Sequence, residues 1–148
     1  MSRFPGSLQT IIDEFKAIDD ANMRGELLIE FADKFIDVPE TIAKRPFPKT
    51  HLVPGCESEA YIWCTKLDDG GLKFHFAVEN PHGVSAKSLA VILDEGLSGH
   101  NADEILGLSE ELVYEIFGRN ISMGKGQGLM GMVAMVRGLA MQQRAAQL

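Results

Sequence analysis

The chain has few of the residues that build cross-linked or metal-bound proteins. Its 148 residues include two cysteines, Cys56 and Cys64, and four histidines. Two cysteines do not make a disulfide framework, and a reducing, cytoplasmic setting fits them better. The histidines are scattered, and neither a His-x₃-His pair nor a Cys-x-x-Cys pair is present. The sequence therefore predicts no metal site.

Long apolar runs and an excess of positive charge are also lacking. No run approaches the roughly 20 apolar residues that a membrane helix needs, and residues 1–5 contain no apolar signal segment. We therefore expect neither membrane insertion nor secretion. The formal net charge is −7, with 14 basic and 21 acidic residues. Because phosphate binding needs a basic face, nucleic acid is not expected as a partner.

What is present indicates an ordinary globular protein. Hydrophobic residues make up 45% of the chain and charged residues 24%, and the length suits a single domain over residues 1–148. Apolar stripes predict helices over residues 8–18 and 22–36, and Asp19 and Asp20 can cap the second. Four prolines then predict a long ordered loop over residues 37–55.

The middle of the chain predicts a pair of strands. Residues 57–67 are rich in aromatic and β-branched types, residues 68–71 (Asp-Asp-Gly-Gly) form a turn signal, and residues 72–78 alternate apolar and polar. The alternation predicts an antiparallel sheet with one buried face and with His75 exposed on the other. A third strand, if there is one, is expected from the segment before Cys56.

The rest of the chain predicts helices. The segment after Gly83 is apolar around most of its circumference, which predicts a buried helix that Gly96 and Gly99 end. Asn101 and Glu104 form a capping-box pattern, another helix is expected up to Phe117, and the last runs over about 127–143. These elements predict an α+β fold, with helices packed on a sheet of two or three strands, in the order α-α-β-β-α-α-α.

Two features of the last helix are interpreted as structural rather than functional. Residues 124–128, Gly-Lys-Gly-Gln-Gly, lack the strand and the spacing of a phosphate-binding loop, so we interpret them as a flexible start of the helix. The methionines of residues 123–141 are expected to be mostly core.

The two cysteines have different predicted roles. Cys56 follows a stiff, proline-rich loop and can stay reachable, which reactivity requires. The acidic Glu57 and Glu59 oppose thiolate formation, so Cys56 is not expected to be a pre-activated nucleophile. Cys64 lies within a predicted strand and is interpreted as a core cysteine. A disulfide between them is not expected, because the strand would hold them apart.

The segment around Cys56 resembles the SufE family, the sulfur acceptors that work with cysteine desulfurases in iron–sulfur cluster assembly. Residues 55–61, Gly-Cys-Glu-Ser-Glu-Ala-Tyr, look like the family's Gly-Cys-x-Ser-x-Val-Trp/Tyr segment. The similarity continues in order through the Asp-Asp-Gly-Gly turn, Lys87 and its apolar helix, residues 96–105, and the Gln-Gly-Leu of residues 127–129. It covers about residues 7–145.

The resemblance implies a mechanism and a set of site residues. A SufS-like desulfurase, which holds the pyridoxal phosphate, would pass persulfide sulfur to Cys56, and this chain would need no cofactor and no metal. An iron–sulfur scaffold complex would receive the sulfur, and a weak homodimer is left open. The residues expected to support Cys56 or to dock the partner are Glu57, Ser58, His82, Lys87, Lys125 and Gln127.

Two departures from the family pattern keep one alternative open, and the count of possible ligands bears on a second. Lys125 stands where the family usually has arginine, and His82 lies in a segment where an Asp-Ser-Asp run is common. One alternative is a regulator that binds the desulfurase without carrying sulfur. The other is an iron–sulfur scaffold, which needs about three or four thiolate or imidazole ligands and is disfavoured with two cysteines.

Overall fold

Six α-helices accompany one antiparallel pair of strands in the computed structural model, which describes residues 4–146. The elements are α1 (Gly6–Lys16), α2 (Ala21–Asp33), β1 (Ala60–Lys66), β2 (Leu72–Val78), α3 (Val84–Leu97), α4 (Ala102–Leu106), α5 (Leu112–Phe117) and α6 (Met123–Ala146). The predicted α+β class is confirmed. Four helices follow the sheet, matching the four segments predicted individually, whereas the summary order α-α-β-β-α-α-α contains only three. Within the described residues, no helix is long and apolar enough to cross a membrane.

The helix caps show how local sequence sets these boundaries. The Asp20 side chain accepts from the Asn22 backbone N–H and starts α2, as predicted. Asn101 and Glu104 form the complete predicted capping box at the start of α4. Each cap satisfies backbone N–H groups that the first turn of a helix leaves without partners.

Helix α3 is the central element of the core. Its apolar side chains are buried around most of the circumference, as predicted, and it packs against α1, α2 and β2. Gly96 was predicted to end α3 but lies inside it, where an added Cβ would come within 2.8 Å of the Leu8 Cβ. The glycine therefore serves the close approach of α1, and Gly99, with φ near +94°, follows the helix end.

Both faces of the sheet are covered, which corrects the prediction of one buried face. The inner face packs on the helices, and its residues include Ile62 and Phe74. On the outer face, Tyr61 and Trp63 are buried beneath Phe47, whose ring centroid lies 5.1 Å and 4.9 Å from theirs. The proline-rich segment folds across this face. The outer face is therefore shielded from water, although apolar and polar residues alternate along β2.

Two further predictions about this part of the sheet are corrected. His75 is half-buried rather than exposed, and desolvation is the main cause that lowers its pKa. The segment before Cys56 adds no third strand: Leu52 makes one isolated bridge to Tyr61. Only two strands form a sheet among the described residues.

Truncating Phe47 tests the covered outer face. We expect Phe47→Ala to lower the free energy of unfolding by about 3 kcal/mol, because a buried aromatic ring is lost from contact with two others. The control is Ile36→Ala, whose side chain is 80% exposed and whose loss should change stability by less than about 0.5 kcal/mol. Urea unfolding measures both, and equally small losses would show that the outer face is solvated.

Candidate functional site

Cys56 lies in a short closed loop, residues 54–59, here called the cysteine loop. The buried Val53 donates its backbone N–H to the Ala60 carbonyl at 2.8 Å and closes the base of the loop. Inside it, the Glu59 N–H donates to the Cys56 carbonyl at 3.1 Å. Glu59 has φ of +52°, an uncommon conformation for a non-glycine residue. The strand predicted from residue 57 therefore begins three residues later, because those residues turn.

The far side of the cysteine loop is held by the segment that follows β2. The Asn80 N–H donates to the Ser58 carbonyl at 3.1 Å, and the Glu79 N–H donates to the Glu59 carbonyl at 3.2 Å. The Arg45 guanidinium binds both the Glu79 and the Asp37 carboxylates, which raises the pKa of Arg45. The proline-rich segment and the cysteine loop are thus attached to the same end of the sheet.

Helix α6 forms the near side of the cysteine loop. A Cβ added at Gly128 would lie 3.3 Å from the Cys56 Cα, and one at Gly131 would lie 3.1 Å from the Pro54 carbonyl oxygen. The interpretation of residues 124–128 as a flexible start of the helix is wrong, because α6 begins at Met123 and this segment is helical. Sequence reasoning missed the role of Gly128 and Gly131. The sequence signal for this role was a pair of glycines three residues apart inside a predicted helix, where alanine is preferred.

A cavity of about 190 Å³ opens between the cysteine loop, the start of α3 and the start of α6. It brings together five of the residues expected from the sequence: Cys56, Glu57, Ser58, His82 and Lys125. Cys56 is half-buried and packs partly against the main core.

Lys87 and Gln127 do not line this cavity. The ammonium of Lys87 lies 5.9 Å from the centre of the Phe35 ring. Gln127 lies beside a second depression, with Tyr114 and Met130.

Side chains of both charge signs meet at the cavity. Lys125 and His82 are exposed at its wall, opposed by the exposed Glu57. The first turns of α3 and α6 also line it, and helix N-termini carry partial positive charge and spare N–H donors. Within residues 4–146, no group of three or more His, Cys, Asp or Glu side chains could hold a metal ion.

The methionines of residues 123–141 are mostly core, as predicted. Met132 is fully buried, and Met130 and Met135 are partly buried against the core. Met123 and Met141 are the exceptions, at 80% and 59% exposed. Met123 lines the second depression, together with Gln127.

Cys64 occupies a different environment from Cys56. Both are free thiols, and Cys64 lies on β1, half-buried against the core, as its interpretation as a core cysteine predicts. Burial raises the pKa of Cys64 to about 12. The thiolate is the nucleophilic form of cysteine, so Cys64 is chemically quiet at neutral pH.

Alkylation of Cys64 in a Cys56→Ser variant tests this assignment. With a pKa of about 12, roughly one thiol in a thousand is ionised at pH 9, whereas an unperturbed thiol is mostly ionised there. We expect iodoacetamide to modify Cys64 very slowly at pH 9 and rapidly once urea unfolds the protein. Equal rates in the folded and unfolded protein would refute the assignment.

Comparisons with known proteins agree with this fold. The model of a family described as "SufE: Fe-S metabolism associated domain" matches residues 9–140. The fold is similar to the solution structure of a hypothetical protein from Thermus thermophilus, with a TM-score of 0.74 and 20% sequence identity over 96% of this chain and 98% of that one. No curated protein matches the sequence significantly. Because the family model covers most of its length, the chain belongs to the SufE family of domains associated with iron–sulfur metabolism.

Proposed function

We propose that this protein accepts sulfur from a cysteine desulfurase on Cys56 and passes it on for iron–sulfur cluster assembly. The observation that carries the proposal is the position of Cys56, a half-buried thiol at the wall of a cavity that also contains Lys125, His82 and two helix N-termini. Membership of the SufE family supports a role in iron–sulfur metabolism. The sulfur transfer and the stimulation of the desulfurase are our proposal.

The transfer step follows thiol–disulfide exchange. The Cys56 thiolate attacks the terminal sulfur of the desulfurase's cysteine persulfide, and a new sulfur–sulfur bond forms on Cys56. The original sulfur–sulfur bond breaks, and the desulfurase cysteine leaves as a thiolate. The transferred sulfur keeps its proton or its negative charge, so the exchange is balanced and needs no external oxidant or reductant.

The cavity suits the product of this step. A persulfide on Cys56 adds one sulfur atom, which is small compared with the 190 Å³ available. Lys125 supplies positive charge as an ammonium rather than the planar fork of arginine. The Ser58 carbonyl accepts a hydrogen bond from the Asn80 N–H, which helps to hold the cysteine loop in place. The exposed Gln127 and the half-buried Lys87 are proposed to support partner docking outside the cavity.

The proposed cellular setting follows from the chemistry. Cys56 must be a free thiol to accept sulfur, which fits a reducing cytoplasm. The pyridoxal phosphate that releases sulfur from cysteine would belong to the desulfurase, and this chain would carry sulfur without a cofactor of its own. The next acceptor would be an iron–sulfur scaffold complex.

A regulator that stimulates the desulfurase without taking sulfur is the second candidate. The observation that favours it is the second depression, where the exposed Met123 lies with Met130 and Gln127 away from the thiol, so that a partner could bind there whatever the state of Cys56. A Cys56→Ala variant separates the two functions. If it still raises desulfurase turnover as much as the wild type, the regulator is the better description.

Sulfur loading of matched cysteine variants tests the carrier function. After incubation with a desulfurase and free cysteine, intact-mass measurement should show a gain of roughly 32 Da, one sulfur atom, on the wild type and on Cys64→Ser. Cys56→Ser should show no gain, because its hydroxyl cannot form a persulfide. A sulfur adduct on Cys56→Ser, or its loss in Cys64→Ser alone, would contradict the proposal.

A further inference from the structure

We propose that Gly128 is a positioning residue that sets how deeply Cys56 is withdrawn into the protein surface. The consequence for sulfur transfer rests on the proposed function, but the effect of Gly128 on the position of Cys56 does not. Gly128 is buried in α6 and faces the cysteine loop across a close contact, in which a side chain would require the loop to shift.

The contact is a close approach of two backbones. A Cβ at Gly128 would lie 3.3 Å from the Cys56 Cα, 3.5 Å from the Gly55 carbonyl oxygen and 3.7 Å from the Cys56 Cβ. The shortest of these distances is tighter than ordinary packing of carbon atoms, so a methyl group there would push on the loop backbone.

Of the two partners in this contact, the cysteine loop is the one that can move. Helix α6 is fixed by the buried side chains that follow Gly128, including Leu129 and Met132. In the loop, Pro54 and Gly55 are exposed, and Gly55 has φ of +73°. A push from α6 would therefore displace the loop outward and carry Cys56 toward solvent.

Anchors on either side of Cys56 confine this displacement to the loop. Val53 is held by Ala60 on one side, and Ser58 is held by Asn80 on the other. Gly131, on α6, makes a second close contact, with Pro54 and Val53, at 3.1 Å and 3.2 Å from an added Cβ. Cys56 lies between the anchors, and the hydrogen bond from the Glu59 N–H to its carbonyl lies within the loop.

The same helix contains a matched control. Gly138 is also in α6, but an added Cβ there would meet nothing within 4 Å. Glycine weakens a helix relative to alanine at either position, so Gly128→Ala and Gly138→Ala make the same change in helix propensity. They differ in whether the new methyl group touches the cysteine loop.

The consequence for function is a thiol held back by packing. In the free protein, the loop lies against α6 and Cys56 is half-buried. A docking partner must move the loop outward to reach the thiol, and Gly128→Ala would make part of this movement without a partner. The glycine thereby limits reaction of Cys56 with reagents other than the partner.

Alkylation of the intact protein tests the inference. Wild type, Gly128→Ala and Gly138→Ala are treated with iodoacetamide at one pH, and peptide mass spectrometry follows Cys56 and Cys64 separately. We expect the rate at Cys56 to rise about tenfold in Gly128→Ala, equivalent to about 1.4 kcal/mol, and to stay unchanged in Gly138→Ala. Cys64 should react equally slowly in all three proteins.

The ratio of the two cysteines separates positioning from general destabilisation. If Gly128→Ala raises the rates at Cys56 and Cys64 together, the variant is unfolding and the inference fails; unchanged rates at Cys56 overturn it as well. If circular dichroism shows that Gly128→Ala does not fold, the same alkylation experiment is made with Gly131→Ala. The inference then holds if the rate at Cys56 rises while the rate at Cys64 does not, and fails otherwise. No desulfurase is present, so failure here is distinct from failure of sulfur transfer.

Discussion

The packing of the cysteine loop against helix α6 is the contact on which the arrangement of the site depends. Glycine at positions 128 and 131 allows it, since a side chain at either position would come into tight contact with residues 53–56. Residues 57–59 turn before β1 begins at Ala60. The cavity exists because the loop, the start of α3 and the start of α6 meet at this place.

Two cysteines eight positions apart acquire different chemistry from this arrangement. Cys64 is part of a strand whose inner face packs on the helices, and desolvation holds it in the neutral thiol form. Cys56 lies outside the regular ladder, at a wall where charged side chains and helix N-termini meet. The fold thus places one half-buried thiol among core side chains and the other, also half-buried, at a cavity that opens to solvent.

Local sequence signals were sufficient for most of the elements and for the core of the site. The Asn101 capping box, the alternation of β2 and the apolar α3 each depend on residues close in sequence, and all three are confirmed. The covered outer face was missed, because Phe47 reaches Tyr61 and Trp63 through an irregular segment that has no periodic pattern. Gly128 was missed for a similar reason, since its partner, Cys56, is distant in sequence.

The reactivity of Cys56 in the free protein tests the central claim most directly. The rate of alkylation of Cys56 in the native wild type should be compared, at one pH, with that of a synthetic peptide of residues 50–60, which contains the same cysteine without α6. The account predicts that the native protein reacts much more slowly, because the loop lies against the helix and Cys56 is half-buried. Equal rates would show that the packing does not shield the thiol and would contradict the account.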